Sequence, residues 1–129
     1  MEIKLNKDLQ KKMDNFLETK DAKMQGFHEI LNLKEFTFSQ EEINQVEEIY
    51  KENEDLYEYA YIYIGEAVIK VLGGIWSIGK FKKDSAYEKP IILGRKGEEN
   101  SHRIYPASWL YYIRINDLGK PLGDFIYTL

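Results

Sequence analysis

The chain has 129 residues, 43% apolar and 14% aromatic, enough for one domain with a single core and too little for two. It has no cysteine, which excludes disulfides, thiolate metal sites and cysteine nucleophiles and makes a reducing compartment, the cytoplasm, the expected location. Net charge is −4 but unevenly spread: residues 1–55 hold eight Lys against fourteen Asp or Glu (−6), and residues 56–129 hold ten Lys or Arg against eight Asp or Glu (+2). An acidic front half argues against nucleic-acid binding, which needs basic stripes, and fits a partner with a basic surface.

The amino terminus, MEIKLNKDLQKKMDNF, is charged and amphipathic where a signal peptide needs an apolar stretch. Leu9, Met13, Phe16 and Leu17 make one helical stripe over Lys7 to about Lys23, and Gly26 is expected to end or interrupt that helix. Phe27 to Phe38 follows as a short apolar segment, helix or loop. Ser39-Gln40-Glu41-Glu42 then reads as a capping box, with the Ser39 hydroxyl accepting from the Glu42 amide and the Glu42 carboxylate reaching back to the Ser39 amide. The helix it opens, Gln40 to about Asn53, buries Ile43, Val46, Ile49 and Tyr50 and is expected to leave its glutamates outside.

Asp55 with Glu58 suggests a second cap, before a helix from Leu56 to Leu72 that is apolar nearly all round and therefore central. Gly73-Gly74 supplies the positive φ that ends it. The period then changes to two. Ile75 to Phe81 and Pro90 to Leu93 read as strands, with a bulge at Gly79, and His102 to Tyr105 as a short third strand pairing with the second. GRKGEENS, residues 94–101, reads as a hairpin turn. Pro106 suits the first turn of a helix reaching Ile115, and Leu122 to Leu129 makes a last one. The expected fold is one α+β domain over residues 1–129: N-terminal helices, a central apolar helix, an antiparallel sheet of about three strands and two short C-terminal helices.

Within the central helix, Gly65 and Glu66 interrupt an apolar run. The glycine costs roughly 1 kcal/mol of helix propensity relative to alanine, which close approach of another element would offset. Glu66 is either a paired structural carboxylate, with Arg103, Arg114, a tyrosine hydroxyl or backbone amides as partners, or a general acid or base in a pocket shared with Arg103 and Tyr105. His28 and His102 lack metal-ligand spacing, so no metal or cofactor is expected. His102-Arg103 beside Tyr105 could receive an anion or simply begin a charged strand.

Tyr63-Ile64-Gly65-Glu66, Gly73-Gly74-Ile75-Trp76 and Tyr105-Pro106-Ala107-Ser108-Trp109 together resemble small bacterial domains of unassigned function, over about Tyr59 to Leu129. In those domains a Gly-Glu helix is followed by a Gly-Gly-x-Trp turn and a Pro-x-Ser-Trp helix start, and some sit beside secreted polymorphic toxins as candidate immunity proteins. This chain departs from the pattern with Tyr-Pro-Ala where Asn-Pro-Phe is usual. The resemblance gives Gly65, Glu66, Gly73, Gly74, Trp76, Pro106 and Trp109 structural roles and assigns no catalytic residue. It implies a non-enzymatic protein that masks a cognate toxin. The acidic run Glu41, Glu42, Glu47, Glu48, Glu52, Glu54 and Asp55, with Tyr59 and Tyr63 as anchors, would supply the partner face, without nucleic acid or membrane. The alternatives are a small-ligand or enzymatic pocket near Glu66 and a generic interaction subunit.

Overall fold

The computed structural model describes residues 5–97 and 102–129. Among the described residues the chain forms five α-helices, α1 (Lys7–Leu31), α2 (Gln40–Glu52), α3 (Tyr57–Leu72), α4 (Pro106–Arg114) and α5 (Leu122–Tyr127), and a two-stranded antiparallel sheet of β1 (Ile75–Ile78) and β2 (Pro90–Leu93). The third strand reduces to one bridge: Ile104 exchanges both backbone hydrogen bonds with Ile92, at 2.9 Å each. Pro106 opens α4 directly after Tyr105, so the backbone turns helical before a second pair can form. The expected turn at residues 94–101 falls partly outside the described residues. Its described part, residues 94–97, is a turn closed by the Gly97 amide donating to the Gly94 carbonyl at 3.1 Å, with Lys96 in the left-handed region (φ 57°).

Several boundaries differ from the sequence reading. Helix α1 passes through Gly26 and ends at Asn32, which takes the left-handed conformation (φ 57°) and donates to the Glu29 carbonyl while Leu33 donates to that of His28. An internal glycine weakens a helix without ending it, and Asn is the residue after Gly that best tolerates this cap. Asp55 does not cap α3, because residues 54–56 form a 3₁₀ turn that leads straight into it. Strand β1 stops at Ile78, after which Gly79 pairs with Tyr87 in an isolated parallel bridge and Phe81 is exposed.

Helix α3 is the centre of the molecule. Every residue from Ala60 to Val68 except Glu66 is buried. Helices α1, α2, α4 and α5 and strand β2 all pack on it. Its exit uses positive φ at Gly73 (80°) and Gly74 (108°), which turn the chain into β1 so that Trp76 and Ile78 fall on the buried face.

The Gly-Glu pair is explained by this packing. A Cβ at Gly65 would lie 2.0 Å from Cη2 and 2.2 Å from Cζ2 of Trp76, so the indole rests directly on the α3 backbone. Phe16 of α1 closes the other side of the ring edge-on, with centroids 4.6 Å apart. One residue on, Glu66 accepts from Lys20 Nζ of α1 at 2.8 Å, both side chains being about one-fifth exposed. Its partner is therefore a lysine outside the expected set, and the pair fastens α1 beside the Gly65–Trp76 contact.

Gly65→Ala is expected to destabilise the fold: overpacking against a held indole costs about 1–3 kcal/mol, more than the roughly 1 kcal/mol that alanine gains in helix propensity. In a Trp76→Ala background the same change should turn neutral or stabilising. Urea denaturation of the four proteins gives the coupling directly, and additive effects would refute the contact as the reason for the glycine.

Candidate protein-binding surface

Helix α2 begins as the capping box predicts in one half only. Ser39 Oγ accepts from the Glu42 amide at 3.1 Å, but the Glu42 carboxylate turns away from the Ser39 amide. It accepts instead from the amides of Thr37 (3.0 Å) and Phe38 (2.8 Å) and from the Tyr63 hydroxyl (2.8 Å). Phe38 has φ 55°, a costly conformation for an aromatic residue, and its amide bond to Glu42 helps hold it there. The Tyr63 ring is fully buried among Phe27, Phe36 and Phe38. Burial and the adjacent Glu42 push its hydroxyl far above the ordinary tyrosine range, so it serves as a permanent donor.

The first two turns of α2 also make a polar seam with α5. Glu47, only 4% exposed, accepts from the Leu122 amide at 2.9 Å, and Asn44 Oδ1 accepts from the Gly123 amide at 2.6 Å. Asp124 in turn accepts from Gln40 (2.7 Å) and Asn44 (3.2 Å), which hold its carboxyl below the ordinary range. The approach is close enough that a Cβ on Gly123 would lie 2.2 Å from the Gln40 carbonyl oxygen. Burial raises the Glu47 carboxyl above the usual carboxylate range, while the Leu122 amide and Lys51 act against that shift. Of the glutamates expected on the outer face, Glu47 is buried and Glu42 is half-buried and turned inward, and Tyr63 is buried. A period-3.6 pattern places a residue on a face but does not say whether a short last helix will cover that face.

Five acidic residues of the run remain exposed: Glu41, Glu48, Glu52, Glu54 and Asp55. Glu41, Glu48 and Glu52, with exposed Gln45 between them, follow spacings of four, three and four and form one stripe along α2. Around it, Glu48 is paired with Lys51 at 3.4 Å and Glu54 with Arg114 of α4 at 3.4 Å. The Arg114 pair joins the acidic corner to exposed apolar side chains: Tyr57 at the start of α3, and Tyr111, Tyr112 and Ile115 on and after α4. These were not singled out as anchors from the sequence. The available signal was the adjacent pair Tyr111-Tyr112, of which a helix can bury only one readily. Tyr59 is half-buried, its ring stacked on Phe27 at 5.6 Å and 6°, and takes a core role.

The residues proposed for a catalytic pocket are not brought together. Glu66 lines a groove between α1 and α3 with His28 and Phe36, whereas Arg103 and Tyr105 line a separate cavity with Trp109. Among the described residues no group of three or more His, Asp or Glu could hold a metal ion, and no helix is long and apolar enough to cross a membrane. No family model, curated protein or solved structure matches the chain.

Glu47 has a testable pH signature. Its folded-state carboxyl is raised, so the folded chain binds more protons than the unfolded one between the unfolded and folded values, and its contribution to stability falls as pH rises through that window. The stability of the wild type relative to Glu47→Gln should therefore increase as pH is lowered from neutral into the carboxylate range, and level off below it. Glu47→Ala, which leaves the buried Leu122 amide without an acceptor, should cost about 1–3 kcal/mol and show the same pH trend. Urea titrations across that range check both, and a pH-independent gap between wild type and Glu47→Gln would refute the assignment.

Proposed function

We propose that this chain is a non-enzymatic binding protein that acts as an immunity protein, neutralising a bacterial toxin by covering a basic active surface. The observation that carries this reading is the exposed stripe Glu41, Glu48 and Glu52 running into Glu54, Asp55 and the exposed rings of Tyr57 and Tyr111. Carboxylates of one sign along a rigid helix steer a cationic surface into contact, and neighbouring tyrosines supply apolar area at low entropic cost once contact is made. A surface that engages phosphate, as a nuclease must, carries the lysines and arginines that such a stripe would occupy. Cytoplasmic action fits the cysteine-free chain.

The internal carboxylates sharpen the experiment. Glu42 and Glu47 hold the fold, so reversing them would confuse unfolding with loss of binding. The triple reversal Glu41→Lys, Glu48→Lys, Glu52→Lys touches only exposed positions. Against a toxin captured by the wild type, this variant should associate about tenfold more slowly or worse at low salt, with the difference shrinking as salt screens the charges. Surface plasmon resonance across a salt series reads both rates. An association rate equal to wild type would end the electrostatic version, and failure of the wild type to capture or neutralise any toxin of its source organism would end the immunity reading itself.

A further inference from the structure

Between residues 102–105, α4 and α5 lies a cavity of ≈ 410 Å³ whose lining includes Arg95, His102, Arg103, Tyr105, Trp109 and Phe125. Three of these six are basic or imidazole side chains. In a chain of net charge −4, none of the described lining residues has a carboxylate side chain. The wall is aromatic: Trp109 and Phe125 meet edge-on with centroids 5.1 Å apart, and the Arg103 guanidinium stands 5.5 Å from the centroid of the Tyr105 ring. Asp84 accepts from Arg103 at 2.6 Å and so fixes the guanidinium while neutralising part of its charge.

Arg95 is different. Its Nε is closed to solvent and has no hydrogen-bond partner among the described residues, so the part of the side chain left to meet a ligand is the rest of the guanidinium. Helix α4 begins beside the same cavity at Pro106, with no side chain capping its first turn, and Ser108 of that turn also lines the cavity. Two arginines and an imidazole thus border a space with aromatic walls, of a size that suits a small molecule.

We propose that this cavity binds a small organic anion with an aromatic or apolar body, its carboxylate or phosphate received by Arg95 and Arg103 and its body packed on Trp109 and Phe125. The rings supply the selectivity over inorganic anions, since they reward only a ligand with an apolar portion. The site is independent of the acidic stripe on α2 and of the immunity reading.

Titration of the ¹⁵N-labelled wild type, followed at the two tryptophan indole signals, tests this without any substitution. Trp109 lines the cavity, and Trp76, seated on Gly65, serves as the internal control. Phenyl phosphate and phenylacetate are the two anionic probes, while inorganic phosphate and benzyl alcohol represent the separate halves. The expected result is a saturable shift of the Trp109 indole with one or both aromatic anions, a still Trp76 signal, and at least about tenfold weaker binding of either half. Which of phenyl phosphate and phenylacetate binds tighter distinguishes a phosphate from a carboxylate ligand. Arg95→Gln should weaken binding about tenfold or more, and Arg95→Lys, which keeps the charge without the planar fork, should fall between. No saturable shift up to about 10 mM of either aromatic anion, inorganic phosphate binding as tightly as phenyl phosphate, or undiminished binding by folded Arg95→Gln would each overturn the proposal.

Discussion

The structure depends on one helix having no outer face. Helix α3 is buried from Ala60 to Val68 save for Glu66, so each neighbour must offer it an apolar surface and dispose of its own polar groups at the same time. That constraint accounts for where the carboxylates go. Glu66, carried on α3 itself, is matched by Lys20. Glu42 takes up the Tyr63 hydroxyl that the buried ring brings inward, together with two loop amides. These two contacts follow from the burial of this helix.

Helix α2 therefore has two functions on its two sides. Its inner and lateral positions (Gln40, Glu42, Asn44 and Glu47) are spent on the loop before it and on the first amides of α5. Glu41, Gln45, Glu48 and Glu52 stay in water. The α5 seam combines two opposing electrostatic tendencies within a few residues: burial opposes the Glu47 charge, and amide donors favour that of Asp124. A six-residue helix has little packing area of its own, so its attachment relies on these bonds and on Gly123, which lets its backbone reach that of α2.

Much of this was legible in the sequence, and the failures have physical causes. The all-round apolarity of residues 57–72 identified the central helix, the Gly-Gly exit predicted the turn into β1, and Gly65 signalled close approach of another element, which the structure gives as the Trp76 indole. What periodicity could not carry was tertiary coverage. Glu47 and Asn44 look like ordinary outward residues until α5, some eighty positions later, lies across them. The donors to Glu42 were missed for a related reason: the capping box is a local motif, and Tyr63 offered a buried donor that water cannot serve. Lys20 as the partner of Glu66 had no local signal, being a contact between residues 46 apart. The third strand failed because Pro106 commits the chain to helix one residue after Tyr105.

Charge totals by themselves misstate the surface. Of the fourteen acidic residues in the first 55 positions, Glu42 and Glu47 are engaged within the fold, so the −6 of that segment overstates what a partner meets on α2. The remaining stripe is narrower but better ordered, because the same helix is pinned from behind by α3 and from the side by α5. Rigidity of this kind matters for electrostatic recognition. Charges fixed in a row present one geometry at encounter and lose little entropy on docking. The positive half of the chain concentrates in the opposite way, with Arg95 and Arg103 drawn to a cavity instead of spread along a face. A convex acidic helix suits a macromolecule, and a concave cationic cavity with aromatic walls suits a small anion, so the shape of each surface restricts its partner as much as its sign does.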